Sequence, residues 1–135
     1  MRDERTEQQR RITHLLADAE LLFALSRAEG FGPVWTIRFD LPDRSKVEVN
    51  LTVDETFLTV SHVEAAAATL DPASLLRLNA RVAMAKVCLQ ETGELAVAAQ
   101  VPLSHVDLES LRMALGNVLT TIVETRKLAS TQVAP

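Results

Sequence analysis

The most reactive side chains in this chain are spread along it and form no cluster in sequence. His14 falls on a predicted helix, His62 on a predicted strand and His105 in a predicted loop. No two of these histidines have the i, i+4 spacing that places two metal ligands on one helical face. Cys88 is the single cysteine, so the chain alone can form neither a disulfide nor a cysteine-based zinc site. These patterns predict no metal site and no cofactor.

Carboxylates occur in pairs, but each pair borders a turn between predicted strands, where aspartate and glutamate are ordinary turn residues. The pairs are Asp40 with Asp43, Asp54 with Glu55, and Glu91 with Glu94. The four glycines form no phosphate-binding loop, and no serine lies in a Gly-x-Ser-x-Gly elbow. The sequence therefore predicts no catalytic residues and a protein that is not an enzyme.

Composition narrows the class of partner. The chain has 135 residues, 47% of them hydrophobic, which is typical of one globular domain. Its 14 basic and 18 acidic residues give a net charge of −4, which opposes binding to nucleic acid or to an anionic membrane surface. No secretory signal and no span of ~20 apolar residues is present in the sequence. We therefore predict a cytoplasmic protein with neither nucleic acid nor membrane as partner.

A helix and three strands are predicted for the first half of the chain. The helix covers residues 3–29 and should stop at Gly30-Phe31-Gly32-Pro33. Its apolar face is formed by Ile12, Leu15, Leu16, Ala19, Leu22, Phe23 and Ser26. The period then falls from 3.6 to 2, and residues 35–41, 47–53 and 56–63 read as strands. The short turns between them favour antiparallel pairing.

The second half is predicted to add a helix, a hairpin and a closing helix. Asp71-Pro72 opens the short helix, because aspartate can cap its first turn and proline fits the first helical position. Strands over 83–91 and 94–102 meet at Thr92-Gly93. The last helix starts near Asp107, and a frayed tail follows Lys127. The fold class is therefore α+β with an antiparallel sheet, in the order α-β-β-β-α-β-β-α, as a single domain ordered over about residues 5–127.

Two surfaces are candidates for binding. The hairpin should turn one face to the core, while its opposite face carries small and apolar side chains that either the final helix or a second chain must cover. For a homodimer, the predicted interface residues are Val82, Met84, Cys88, Ala96 and Ala98. Trp35 and Phe39, on the first predicted strand, are core candidates that could instead contact a protein partner.

Four motifs follow one another in the second half of the chain: Leu75-Leu76-Arg77-Leu78-Asn79, the hairpin centred on Gly93, Val101-Pro102-Leu103 and the helix from Asp107. Together they resemble the YbjN-like and type III secretion chaperone-like group. The resemblance implies a homodimeric binding domain without catalytic residues, and in its secretion chaperones an extended effector segment wraps around apolar patches. Leu76, Leu78 and Asn79 match the pattern of the group, and we interpret them as structural, with Asn79 either at the helix end or on the backbone where helix becomes strand.

The leading hypothesis is thus a dimeric, chaperone-like module that binds an extended segment of a partner protein. A YbjN-like sensory or regulatory domain without chaperone activity is the alternative. A small-molecule binder or enzyme is the third reading, which a deep pocket lined by polar groups and a histidine would favour. The sequence does not identify the partner.

Overall fold

The computed structural model describes residues 4–28 and 32–133, and these form three α-helices and one six-stranded antiparallel sheet. The helices are α1 (Glu4–Asp18), α2 (Pro72–Arg81) and α3 (Leu108–Val133). The strands are β1 (Phe23–Ala28), β2 (Gly32–Asp40), β3 (Lys46–Val53), β4 (Phe57–Val63), β5 (Lys86–Leu89) and β6 (Leu95–Pro102). Short 3₁₀ helices cover Ala65–Thr69 and Leu103–His105. The predicted fold class is confirmed, with one strand more than predicted.

The sheet has the strand order β1-β2-β3-β4-β6-β5, and one of its faces carries the core. The strand residues of this face are Trp35, Ile37, Val47, Val49, Leu51, Leu58, Val60, Val87, Val97, Ala99 and Val101. The helices cover them with Ile12, Leu16, Leu78, Leu111, Ala114, Leu115, Val118 and Ile122. Alternation along each strand therefore places the predicted apolar rows against the three helices.

The opposite face of the sheet is left without such a cover. Its strand residues are exposed or half-buried in the described part of the chain, apart from Ala96. Over β2 and β3 it is polar: Thr36 donates to Asn50 at 2.8 Å, and Arg38 pairs with Glu48 at 2.8 Å. Over β4, β6 and β5 it mixes small or apolar residues such as Val63 and Ala98 with the polar Thr59, Lys86 and Gln100. The second half of this face is therefore less polar than the first.

The first helix is shorter than predicted, because the chain turns after Asp18 and enters β1. Leu21 N–H donates to the Leu16 carbonyl and Glu20 N–H to that of Ala17, the two bonds of a Schellman helix end. Glu20 takes the left-handed position with φ of 59°, where glycine is usual. The predicted helix over 19–28 is therefore wrong. The predicted stop at Gly30-Phe31 lies outside the described residues, and Gly32-Pro33 belongs to β2.

Glu20→Gly is expected to raise the free energy of unfolding by about 1 kcal/mol. A non-glycine residue in the left-handed region costs roughly 1–2 kcal/mol, of which the greater chain entropy of glycine cancels a part. Urea unfolding followed by circular dichroism measures the change. Ala17→Gly, three residues earlier and inside the helix, is the matched control and should lower stability by about 1 kcal/mol; equal effects of the two glycines would contradict this account.

The hairpin strand predicted over 83–91 is also shorter, since β5 covers only Lys86–Leu89. The connection before it follows the end of α2, where Val82 N–H donates to the Leu78 carbonyl. Lys86 Nζ donates to the carbonyls of Asn79 and Val82 at 2.7 and 2.8 Å. Within the connection, Met84 has a positive φ of 63°, which interrupts the extended backbone that the prediction assigned to the sheet.

The starts of α2 and α3 follow the prediction, whereas the end of α3 does not. Asp71 Oδ1 accepts from Ser74 N–H at 2.8 Å, and Asp107 Oδ1 accepts from Ser110 N–H at 2.7 Å. These bonds lower the pKa of both carboxyls, because they favour the ionised form. The predicted frayed tail beyond Lys127 is wrong as far as Val133, to which α3 continues. Ala129 is buried there, so packing extends the helix.

Candidate functional site

Large apolar side chains remain exposed at the two ends of the sheet. At the β1 end, Leu22 is 91% exposed and Leu25 is 42% exposed. The others lie at or near the β5 end, and they are Val63, Leu76, Met84, Leu89 and Met113. Exposed apolar groups that cluster in this way mark interaction surfaces more often than singly scattered ones. The two ends are therefore the candidate sites, and we name them the β1 end and the β5 end.

The outer edge of β5 is closed by a side chain. Asn79 of α2 donates its amide to the Val87 carbonyl at 2.9 Å, and its oxygen accepts from Val87 N–H at 2.7 Å. This pair of bonds satisfies the N–H and C=O of Val87, which a further strand would otherwise use. The structural role expected of Asn79 is confirmed. Strand pairing is therefore blocked at Val87, while the apolar side chains around it stay exposed.

The β1 edge has no comparable cover in the described residues, where β1 pairs with β2 alone. Beside β1 runs a groove of about 400 Å³ between this strand and α1. Its lining residues are Gln9, Arg10, Thr13, His14, Ala17 and Leu25, none of which is buried. Leu25 and Ala17 are its apolar side chains, and Arg10 and His14 lie on its helical wall. The groove is shallow and runs beside an unpaired strand edge.

Trp35 and Phe39, the residues predicted to contact a partner, lie on the core face of β2. Trp35 is fully buried, and its Nε1 donates to Thr13 Oγ1 at 3.1 Å. Phe39 is partly buried against the same core. Trp35 is therefore a core residue in this structure. A partner could reach it only if α1 moved. Their role in partner binding stays a prediction.

The five residues predicted for a dimer interface belong to two different surfaces. Cys88, Ala96 and Ala98 lie on the uncovered face of the sheet, with Ala96 buried between the flanking strands at Val63 and Cys88. α3 packs on the opposite, core face, so it does not cover them. Partial burial raises the pKa of the Cys88 thiol, which disfavours the reactive thiolate.

Val82 and Met84, the other two predicted residues, lie before β5 beside α3. The Asn117 amide is 3.9 Å from the Met84 sulfur. A groove of about 290 Å³ lies between this connection, the end of α2 and α3, with Leu78 and Thr121 among its lining residues. Both surfaces lie at the β5 end, so the five predicted residues occupy two different sides of that end.

Sequence reasoning missed a buried ionic cluster between the end of β4 and α3. Glu64 is only 3% exposed, and its Oε2 lies 3.0 Å from Arg126 Nε and 3.3 Å from His62 Nε2. His62 Nδ1 lies 2.8 Å from the Glu48 carbonyl oxygen, and Arg126 also donates to Ser45 Oγ at 3.3 Å. Both ring nitrogens of His62 are therefore engaged, so the cluster holds the fold and offers no free base.

The charge state of Glu64 follows from its neighbours. Burial by itself would raise the pKa of its carboxyl, but hydrogen bonds from His62 and the Ala66 N–H, with the Arg126 charge, hold that pKa below its ordinary value of 4.5. Glu64 and Arg126 are 62 positions apart in the sequence. No local sequence signal links positions so distant, which is why the cluster escapes prediction.

Comparison with known proteins identifies the fold. No family model matches the chain, and no curated protein sequence matches it. Among solved structures, a chain of the HopA1–SchA chaperone–effector complex aligns over 94% of this chain and 99% of its own, with 13% identity and a TM-score of 0.68. This chain therefore has a type III secretion chaperone-like fold. The chaperone-like half of the predicted resemblance is thereby confirmed at the level of fold, and the YbjN-like half stays a prediction.

Two further structures share this chaperone-like fold. A chain of the ExsC–ExsE complex covers 88% of this chain and 93% of its own, with 21% identity and a TM-score of 0.59. An uncharacterized protein from Methanothermobacter thermautotrophicus covers 94% and 99%, with 10% identity and a TM-score of 0.65. At such low identities the likeness concerns backbone architecture, so the function must be argued from the surfaces of this chain.

In the part of the chain that the structure describes, no three His, Cys, Asp or Glu side chains converge on a point that could hold a metal ion. In the same residues, no helix combines the length and the apolar character that crossing a bilayer requires.

Proposed function

We propose that this chain is a non-catalytic, chaperone-like module that binds an extended segment of a partner protein and acts as a homodimer. The proposal rests on one observation, the structural difference between the two edges of the sheet. Asn79 occupies the β5 edge, whereas β1 is paired on one side only and lies beside the groove that contains Leu25. An edge of this kind accepts an extended strand through its backbone, and side-chain grooves beside it give specificity.

A protein segment suits this site better than a small molecule does. Small-molecule pockets bury most of their ligand, commonly 70–90% of its surface. The β1 groove contains a histidine, His14, but every one of its lining side chains is exposed or half-buried, so a small ligand would remain largely in water. An extended segment needs no enclosure, because backbone hydrogen bonds along the edge supply much of its binding free energy. The chaperone-like fold, found in a chaperone–effector complex, supports the same choice.

The homodimer is assigned to the β5 end. A two-fold contact uses the same patch on both chains, so an exposed leucine there is buried twice. Leu76 is 71% exposed on the outer side of α2, and Leu89 is 72% exposed on β5. The predicted residues Cys88 and Met84 lie near them on the two sides of that end. Self-association through the β5 end leaves the β1 end free for the partner. A cytoplasmic location stays a prediction.

For a segment that lies in the groove beside an intact β1, Leu25→Asp is expected to weaken partner binding at least tenfold. Burying a leucine contributes about 1.5–3 kcal/mol, and 1.4 kcal/mol corresponds to a factor of ten. The partner is first obtained with a photo-cross-linking amino acid at position 22, followed by mass spectrometry of the linked peptide and titration of that peptide with both variants. Ala68→Asp, exposed in the first 3₁₀ helix, is the matched control. Cross-links confined to position 68 when it carries the same photo-cross-linker would refute the β1 site.

A further inference from the structure

The segment that forms β1 fits two structures. Ala19, Leu22, Phe23 and Ser26 continue the apolar face of α1 at helical spacing, and this pattern predicts a helix through residue 29. The same residues instead form a turn and a strand. A sequence whose pattern suits one element while its structure adopts another is a local conflict of the kind that lowers the energy gap between two states.

The strand form of this segment is held weakly. Its entry is the left-handed Glu20, a position that an ordinary residue adopts at a cost. Leu22 and Leu25 are largely or partly exposed, so Phe23 makes the strand's main core contact. Within the described residues β1 is bonded to β2 alone, over six residue pairs, whereas the strand at the other edge is held on both sides by β6 and Asn79. Segments with few buried contacts and one-sided pairing are the first to open.

We infer that β1 is a displaceable strand whose place on β2 the partner's segment takes. On displacement, residues 19–26 join α1 as further helical turns, so the apolar side chains that leave the sheet are not simply released into water. This inference rests on the proposed function, and it specifies how the extended segment is bound. The alternative, addition of the segment outside β1, uses the same end of the molecule but leaves β1 in place.

The strand that is displaced defines the chemistry of its replacement. Phe23 lies opposite Ile37 and Leu25 opposite Trp35, both on the core face, while Ala24 and Ser26 lie opposite Thr36 and Val34 on the uncovered face. A competing segment must therefore carry two bulky apolar residues separated by one small or polar residue. Its two apolar side chains would pack where Phe23 and Leu25 pack now.

A reversible lock tests the displacement. Ala24 and Thr36 are Cα partners across β1 and β2, and directly opposed residues in antiparallel strands have Cα separations within the disulfide range. Ala24→Cys with Thr36→Cys, in a Cys88→Ser background, ties β1 to β2 when oxidised and frees it when reduced. The side chains at 24 and 36 lie on the uncovered face, so the bridge leaves the core face untouched.

The probe is a fluorescent peptide with the sequence of residues 21–28, Leu-Leu-Phe-Ala-Leu-Ser-Arg-Ala, used up to about 1 mM, the range of effective concentration of a tethered segment. The reduced protein is expected to bind the peptide at least tenfold more tightly than the oxidised protein. On binding, the nuclear magnetic resonance chemical shifts of the protein's own residues 22–26 should become helical. Glu20→Gly, which favours the turn, should weaken binding about fivefold.

Equal binding to the oxidised and reduced forms would overturn displacement while leaving the extended-segment proposal intact, since the peptide would then add outside β1. Absence of binding to the reduced form, or binding without helical shifts in residues 22–26, would overturn it as well. Binding of a segment at the β1 end itself fails by cross-links confined to position 68, a result independent of this titration, so the two failures are distinguishable.

Discussion

Arg126→Met is expected to lower the free energy of unfolding by about 3 kcal/mol, because it leaves the Glu64 carboxylate buried without its guanidinium. Glu64 is 3% exposed, and Arg126 Nε is its nearest cationic partner at 3.0 Å. Removing one member of a buried pair costs far more than an exposed pair contributes. Urea unfolding at pH 7, followed by circular dichroism, measures the loss. Lys127→Met, at an exposed pair with Glu124, is the matched control and should change stability little.

A double-variant cycle separates the charge from the packing of Arg126. Glu64→Gln keeps an oxygen that can accept from the Ala66 N–H but removes the buried charge. Arg126→Met combined with Glu64→Gln should therefore recover about half of the stability lost in Arg126→Met. Additive losses in the double variant would show that packing of the arginine stem, and not the buried charge, explains the effect.

The same pair predicts a dependence on pH. The folded-state pKa of Glu64 is depressed below its ordinary value of 4.5, so its contribution to stability is present above that value and is lost as pH falls through the lower folded-state pKa. Asp43, Asp54, Asp71 and Asp107 also have lowered pKa values and add to the acid sensitivity of the chain. The difference between wild type and Glu64→Gln should therefore shrink below pH 4.5; a constant difference would contradict the assignment.

Leu76→Glu is expected to raise the dissociation constant of the proposed homodimer at least about a hundredfold, and Leu89→Glu to do the same. Each leucine lost from a two-fold contact is lost twice, at about 1.5–3 kcal/mol each, and a charge is placed in the contact in addition. Light scattering coupled to size-exclusion chromatography over a dilution series measures the shift. Both side chains are more than two-thirds exposed, at 71% and 72%, so the monomer fold should tolerate the changes.

Leu22→Glu is the control for this dimer experiment, because Leu22 is 91% exposed at the other end of the sheet. It should leave the oligomeric state unchanged. A wild-type chain that stays monomeric when concentrated, or a dimer that dissociates only with Leu22→Glu, would refute the β5 end as the dimer interface.

The sequence predicts those elements whose signals are local. Alternation over residues 47–53 corresponds to β3, Lys46–Val53, and the cap and proline at Asp71-Pro72 correspond to the start of α2. β1 escapes prediction because its apolar residues also suit a helix, and because Glu20 ends α1 where a glycine would normally signal the end. The length of α3 escapes it because burial of Ala129 outweighs the weak helical pattern of the tail.

The candidate sites are less predictable than the fold. Trp35 and Ala96 have residue types suited to an interface, but their burial is decided by α1 and by neighbouring strands. Leu76 and Leu89 have residue types suited to a core, yet the geometry of the β5 end leaves them exposed. The residue type alone does not indicate whether a hydrophobic residue will lie in the core or on an exposed surface. Only the placement of Asn79 against Val87 separates an edge that can bind a strand from one that cannot.

The closure of one edge by Asn79 also limits how far such chains can polymerise. A sheet with two open edges can grow by strand pairing without end and forms fibrils. A sheet with one open edge can pair in this way only once, after which no edge remains. In the single chain, the Asn79 amide therefore closes one of the two edges through which strand pairing could continue, and loss of that amide would leave both edges open.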